Sequence, residues 1–217
     1  MTRNLQAVAL ALIALFAAVA FNAQAGTLPH FTAVKGNYPV TLSGESQEPV
    51  LTAGENEIHC AKTKLSGTLG AKTTILELTP SVTNPCTASG LPATVTFNKC
   101  KFVLQTTEKV ESHYNAHANI KCEKAGEAIE IHVYLAADEK TQLCTLVLPA
   151  QEKLKSVTLK NNEATTDFSL SGTVEGIAYE EKGVFCPKPG GHKDGKLHIG
   201  ETGMTISGEE QVHVTDK

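Results

Sequence analysis

Apolar and polar residues alternate along much of the chain, which is the pattern of β-strands with one buried face. From Tyr114 to Cys122 every second residue is apolar, and polar residues fill the other positions. The same period appears in 129–135 and in shorter stretches at 93–97, 144–148 and 168–174. Because neighbouring side chains of a strand point to opposite faces, these stretches predict strands that pack on a common core.

Dipeptides rich in turn-forming residues lie between or beside these stretches. They are Gly36-Asn37, Ser43-Gly44, Ala53-Gly54, Ser66-Gly67, Asn84-Pro85, Asn98-Lys99, Asn161-Asn162 and Asp194-Gly195. After position 25, no stretch keeps an apolar period of 3.6 residues over three helical turns. The sequence therefore predicts an all-β, antiparallel β-sandwich or flattened barrel of about a dozen short strands.

Residues 1–25 have the three parts of an export signal. Arg3 supplies the positive charge, an apolar run of 15 residues covers 7–21, and Ala23-Gln24-Ala25 has the small residues that signal peptidase accepts. We expect cleavage before Gly26 and secretion of the remaining chain. A membrane anchor needs about 20 uninterrupted apolar residues, so we expect no membrane span after cleavage.

Residues 26–217 have the length of one large domain or two small ones. The most polar stretch in the middle, 105–112, is either a hairpin tip or the boundary between two lobes. It contains neither proline nor glycine. We predict a single all-β domain, and a two-lobe split near 105–112 is the alternative.

The charge composition excludes one large class of partners. Arg3 is the only arginine, which leaves 18 lysines against 23 acidic residues in the chain after the export signal. Nucleic-acid backbones are bound by clustered positive charge, and arginine forms the bidentate contact that reads guanine. We therefore expect no nucleic-acid partner. Tryptophan is also absent, so few rings are present to stack on a sugar.

All six cysteines follow the export signal, at Cys60, Cys86, Cys100, Cys122, Cys144 and Cys186. An even number of cysteines in an exported protein indicates disulfides. None lies in a CxxC pair, the usual spacing of zinc knuckles and redox sites. Fifteen pairings are formally possible. Because near neighbours in a meander can meet on adjacent strands, we predict Cys86–Cys100, Cys122–Cys144 and, from the remaining two, Cys60–Cys186.

Motifs for catalysis or metal binding are missing. On a strand, His113 and His117 would have Cα atoms about 13 Å apart, too far for one metal ion. The aspartates are isolated from one another, and the serine-hydrolase motifs GxSxG and SxxK are absent. We predict no catalytic residue, metal or cofactor site. The alternative is a secreted hydrolase that uses a glutamate pair such as Glu180-Glu181 or Glu209-Glu210.

The segment 186–195 combines two prolines, three glycines and two lysines beside a cysteine. This composition is typical of an exposed recognition loop, and an ordinary hairpin connection has it as well. The candidate recognition residues are Pro187, Lys188, Pro189, His192, Lys193 and Asp194. A module that presents 187–195 to a protease, as an inhibitor does, is a further alternative.

Several segments carry a family resemblance. They are Tyr38-Pro39-Val40-Thr41-Leu42-Ser43-Gly44, Ala53-Gly54 before Cys60, Leu76-Glu77-Leu78-Thr79-Pro80 before Cys86, Leu91-Pro92-Ala93-Thr94-Val95 with Asn98-Lys99-Cys100, and Gly183-Val184-Phe185-Cys186-Pro187. Over most of the chain after the export signal, the sequence resembles a family of secreted, uncharacterised six-cysteine β-proteins of soil actinobacteria. That resemblance implies no activity, ligand or catalytic residue.

Together these patterns predict a secreted extracellular β-module that is not an enzyme. We expect it to bind a ligand or to act as a structural protein at a surface. Its partner would be extracellular or on a cell surface, and the sequence does not name it.

Overall fold

A computed structural model describes residues 27–162, 168–206 and 210–216. Within these ranges the chain forms fourteen strands and no helix, and every strand pair is antiparallel, which confirms the predicted all-β fold. The predicted export signal, 1–25, lies outside the described residues.

The strands are β1 (His30–Ala33), β2 (Val40–Gln47), β3 (Val50–Ala53), β4 (Asn56–Leu69), β5 (Ile75–Ala88), β6 (Leu91–Thr96), β7 (Cys100–Val110), β8 (His113–Cys122), β9 (Ala128–Tyr134), β10 (Gln142–Pro149), β11 (Gln151–Asn161), β12 (Phe168–Lys182), β13 (Gly190–Ile206) and β14 (Val212–Thr215). The stretch 105–112 forms the end of β7 and the turn into β8.

Twelve of the strands form an up-and-down meander that closes on itself. The long strands β4, β5, β12 and β13 run through both halves of the molecule. The other four positions are each filled by two consecutive strands: β2 with β3, β6 with β7, β8 with β9, and β10 with β11. Each position pairs with the next along the chain, and β13 pairs back with β2 and β3. The result is a closed sheet of eight positions.

Four positions of the closed sheet are each divided between two strands. We call the level of these divisions the waist. The upper half contains β2, β7, β8 and β11, and the lower half contains β3, β6, β9 and β10. Glu48-Pro49 interrupts the first position, and Asn98-Lys99 interrupts the second. Glu48, Asn98 and Lys99 have positive φ angles, and a proline cannot donate a hydrogen bond to a neighbouring strand. These local features explain why the pairing breaks there.

The upper end of the closed sheet is covered by a separate two-stranded sheet of β1 and β14. Phe31 on β1 is fully buried, and its ring centroid lies 5.7 Å from that of Phe168. The backbone amide and carbonyl of Phe31 both bond to Thr73. The Thr106 hydroxyl donates to the carbonyl of Pro29. The two-stranded sheet is thereby attached to the wall and fills the upper interior.

The four long strands have 14 to 17 residues and are longer than predicted. Several dipeptides that were predicted as turns lie inside strands instead: Ser43-Gly44, Ser66-Gly67, Asn84-Pro85 and Asp194-Gly195. At least one of these glycines is explained by close packing. A Cβ atom added at Gly67 would lie 2.6 Å from the carbonyl oxygen of Glu77 on the neighbouring strand. The glycine thus permits close approach and does not end the strand.

Candidate functional site

Three disulfides join the six cysteines: Cys60–Cys86, Cys100–Cys122 and Cys144–Cys186. The expected number is confirmed, but all three predicted pairs are wrong. Cys60 lies directly opposite Cys86 in the β4–β5 pair, and Cys100 lies opposite Cys122 in the β7–β8 pair. Three disulfides are typical of proteins that fold in an oxidising compartment.

The predicted Cys86–Cys100 disulfide is wrong because of the register between β5 and β7. Leu78 pairs with Phe102, so the same register brings Pro80 opposite Cys100. Cys86 lies six residues further along β5, which corresponds to roughly 20 Å. The two cysteines are therefore on adjacent positions of the closed sheet but in different halves.

The lower end contains a buried carboxylate, Glu181, which is 3% exposed. Its carboxylate accepts hydrogen bonds from the side-chain amide of Asn56 at 3.3 Å and from the backbone amide of Lys188 at 2.9 Å. Its neighbour Glu180 is exposed and pairs with Lys182 at 3.1 Å. The two glutamates point to opposite sides of β12, so they do not converge on one substrate bond. Of the other pair proposed for a hydrolase, Glu209 lies outside the described residues.

Part of the predicted recognition loop folds back onto this end. The Tyr179 hydroxyl donates to Asp194 at 3.0 Å, and the His192 ring stacks on Tyr179 with centroids 5.0 Å apart. Burial, followed by the hydrogen bond to Asp194, raises the pKa of the Tyr179 hydroxyl above its usual range. The side chain of Lys188 forms a salt bridge with Glu55 at 3.0 Å. The loop is thereby anchored by at least three of its own residues.

The remaining predicted loop residues, Pro187, Pro189 and Lys193, are exposed. Residues 190–194 belong to β13, so the connection between the strands is shorter than predicted. Its tip carries two exposed apolar side chains that were not among the predicted recognition residues, Val184 and Phe185, which are 88% and 68% exposed.

Three side chains of metal-ligating type meet beside the loop. The ligand atoms of Cys144, Glu181 and Cys186 lie within 4.8 Å of one another, and all three residues are buried. The two sulfur atoms are bonded to each other in the disulfide. The cluster is thus part of the covalent anchor of the loop.

An apolar cavity of about 120 Å³ lies inside the closed sheet at the waist. Every strand from β2 to β13 contributes to its wall. The lining side chains belong to Ser46, Pro49, Leu51, Ile58, Cys60, Thr63, Leu65, Leu78, Val82, Val95, Phe97, Phe102, Leu104, Ala118, Asn119, Ile120, Ile129, Ile131, Leu148, Leu154, Leu170, Val174, Ile177, Leu197 and Ile199. None of these residues is charged.

Two gaps in the strand pairing lie beside the cavity. On one side, β13 pairs with β3 through 196–198 and with β2 through 204–206. Residues 199–203 of β13 therefore pair with neither β2 nor β3. On the other side, 79–85 of β5 lies between its pairings with β7 and β6. The lining residues near these gaps include Leu197 and Phe97, which are half-buried. The cavity therefore opens toward solvent at the waist.

A second, shallow depression lies on the outer surface around the turn between β3 and β4. Its rim includes Glu55, Glu57 and His59, whose side chains are largely exposed. Glu57 lies 3.6 Å from His59, and Glu55 binds Lys188. Both carboxylates thus have cationic or ionisable partners in the structure.

The outer face of the sheet carries paired charges. Glu77 on β5 contacts Lys101 on β7 at 3.1 Å and Lys121 on β8 at 3.5 Å. The hydrogen bond from Lys101 holds the pKa of Glu77 below its usual range, although partial burial acts in the opposite direction. Such pairs stabilise the sheet slightly and indicate that this face is in contact with water.

Among the described residues, no helix is long and apolar enough to cross a membrane. The chain matches no family model, no curated protein and no solved structure. The resemblance to secreted six-cysteine proteins of actinobacteria stays a prediction.

Proposed function

We propose that the protein is a secreted, non-enzymatic binding module that holds a small, neutral, largely apolar molecule in the waist cavity. The cavity is the observation that carries this proposal. Closed sheets of eight strands have interiors that are either filled by side chains or hold one small ligand. Here the two ends are filled, by Phe31 above and by the Glu181 network below, and space is left between them.

The size and chemistry of the cavity indicate the class of ligand. An engineered cavity of about 150 Å³ lined by Leu, Ile and Phe stays dry and binds benzene. The waist cavity has a similar volume and a similar lining. An ionised ligand would lose its hydration without gaining a charged partner, because none of the lining residues is charged. A neutral molecule about the size of one aromatic ring is therefore the expected occupant.

Extracellular location is supported by the three disulfides in the described part of the chain and by the export signal expected from the sequence. A binding role agrees with the divergence of Glu180 and Glu181. The hydrolase alternative requires a glutamate pair, and the rim of the shallow depression between β3 and β4 holds two exposed glutamates, Glu55 and Glu57. It would be favoured if purified protein cleaved a polysaccharide or peptide and the Glu57→Gln variant lost that activity.

The test uses toluene as the probe and the full secreted protein. We expect toluene to raise the melting temperature, because a ligand that binds only the folded state stabilises it. Ala118 lines the cavity, so the Ala118→Leu variant should fill part of it and reduce the stabilisation. Ala71, which is exposed and does not line the cavity, provides the matched control Ala71→Leu.

If the Ala118→Leu protein does not fold, Val95→Phe at the half-buried part of the wall replaces it. A wild-type melting temperature that does not change in saturated toluene would refute the proposed function. Equal stabilisation of the wild type and of a folded cavity-filling variant would refute the assignment to this cavity.

A further inference from the structure

Ser46 is a polar residue at a position where β2 otherwise faces the interior. The inward positions of this strand are Val40, Leu42, Gly44 and Ser46, and the side chains between them are turned outward or half-exposed. Ser46 is 2% exposed and lines the waist cavity. Its hydroxyl is buried and has no hydrogen-bond partner among the described residues.

The other buried polar residues differ from Ser46 because each has a hydrogen-bond partner. Those partners are Glu181 for Asn56, the Pro29 carbonyl for Thr106, Gln142 for Thr145, the Lys188 amide for Glu181, and the Gly200 carbonyl for Thr202. Buried polar groups in native proteins are nearly always paired, and an exception needs an explanation. Among these six buried residues, Ser46 is that exception. The other buried side-chain atoms without a partner among the described residues are His30 Nδ1, Thr32 Oγ1 and Glu210 Oε2, which belong to half-buried residues that do not line the cavity.

The other polar side chains on the cavity wall either have a hydrogen-bond partner or are partly exposed to solvent. The side-chain oxygen of Asn119 already accepts a hydrogen bond from the Lys153 backbone amide at 2.5 Å. Thr63 lies directly opposite Ser46 in the β2–β4 pair but is half-exposed. Ser46 is thus a buried hydroxyl without a partner beside a space that is lined mainly by apolar side chains.

We propose that the ligand of the waist cavity carries one neutral hydrogen-bonding group, such as a hydroxyl or carbonyl, and that the Ser46 hydroxyl binds this group. This inference rests on the proposed function. The apolar wall receives the hydrocarbon part of the ligand, and Ser46 fixes the orientation of its polar end. Small alcohols, phenols and ketones are the ligand class, and simple hydrocarbons should bind without this orientation.

The experiment compares phenol with toluene, which has the same number of non-hydrogen atoms. Calorimetric titration gives Kd for both probes with the wild type, Ser46→Ala and Ser43→Ala. Ser43 is on the same strand but exposed, and its hydroxyl lies near Thr205 outside the cavity. Comparing the ratio of Kd values between variants cancels the different water solubilities of the two probes.

We expect Ser46→Ala to weaken phenol binding roughly three- to tenfold, the value of one net hydrogen bond. Toluene binding should change less than about twofold, and Ser43→Ala should affect neither probe. If Ser46→Ala does not fold, Ser46→Cys is used. A thiol is a weak hydrogen-bonding group, so this variant should also weaken the binding of phenol more than the binding of toluene.

The possible failures are distinguishable. Wild-type protein that binds neither probe refutes both this inference and the proposed function. Wild-type protein that binds both probes, with equal changes in the Ser46 variant, overturns the role of Ser46 and leaves the proposed function intact.

Discussion

Replacement of Glu181 by alanine should destabilise the protein strongly. Replacement of its neighbour Glu180 by alanine should have little effect on stability. The Glu181→Ala variant loses hydrogen bonds to Asn56 and to the Lys188 amide. Each hydrogen bond to a charged group contributes about 1.5–3 kcal/mol, and the variant recovers part of this because a buried carboxylate is removed. We expect a net loss of about 2–4 kcal/mol in the free energy of unfolding.

Urea unfolding at pH 7, followed by circular dichroism, measures this loss. For a protein of this size, the melting temperature should fall by roughly 4–16 °C. The matched control is Glu180→Ala, which removes only the exposed pair with Lys182 and should cost about 0–1 kcal/mol. Equal effects of the two variants would refute the reasoning, because they would show that the buried carboxylate does not hold the loop after β12. Faster proteolytic cleavage near Val184 in Glu181→Ala alone would support it.

Three further predictions concern packing, pH and covalent structure. Gly67→Ala should cost about 1–3 kcal/mol because its Cβ would meet a backbone carbonyl, whereas an added Cβ at Gly70 meets nothing within 4 Å; thermal unfolding of both variants checks this, and similar values would contradict it. Glu77→Gln should cost at most about 1 kcal/mol at pH 7, because this carboxylate is partly exposed. A lowered folded-state pKa stabilises above the unfolded value, so the difference should disappear in urea titrations as the pH falls below about 4 and should not grow there. Replacing Cys144 and Cys186 together with alanine should cost about 3–4 kcal/mol, since the bond closes a loop with a sequence separation of 42; peptide mapping without reduction should show this pair, and a Cys60–Cys186 peptide would contradict the structure.

The strands that lie in a regular meander could be predicted well from the sequence. In β8 the apolar phase is buried from Tyr114 to Ile120, as the alternation indicates. The next strand, β9, shows the same agreement for Ile129, Ile131 and Val133. Alternation determines these side-chain directions because nothing interrupts the two-residue period.

The orientation of Glu180 and Glu181 could not be predicted in this way. Phe168, Leu170 and Val174 place the even-numbered positions of β12 in the interior, and the same phase would bury Glu180. Irregular pairing with β13 near Gly176 changes the phase, so Ile177, Tyr179 and Glu181 are buried instead. A bulge of this kind moves every later side chain to the other face.

The cavity and the disulfides depend on contacts between distant parts of the chain. The sequence shows that Ser46 is a polar residue at one of the alternating positions of β2 that are otherwise mostly apolar. Whether its hydroxyl has a hydrogen-bond partner depends on the side chains of other strands. The disulfides depend on how far each strand is shifted against its neighbour. Such a register is set by the whole closed sheet, and local spacing does not give it.

The sheet of β1 and β14 can form only after nearly all of the described chain has been made, because its two strands are far apart in the sequence. Thr27 donates to the backbone carbonyl of Asp216, at a sequence separation of 189. A chain that is made or exported from its N-terminus therefore presents β1 long before β14 exists. Because β14 is the strand that pairs with β1, Phe31 would until then have no neighbouring strand on that side, and the upper end would stay open. The late arrival of a four-residue strand, and not the formation of the long ones, would then be the step that seals the interior from water.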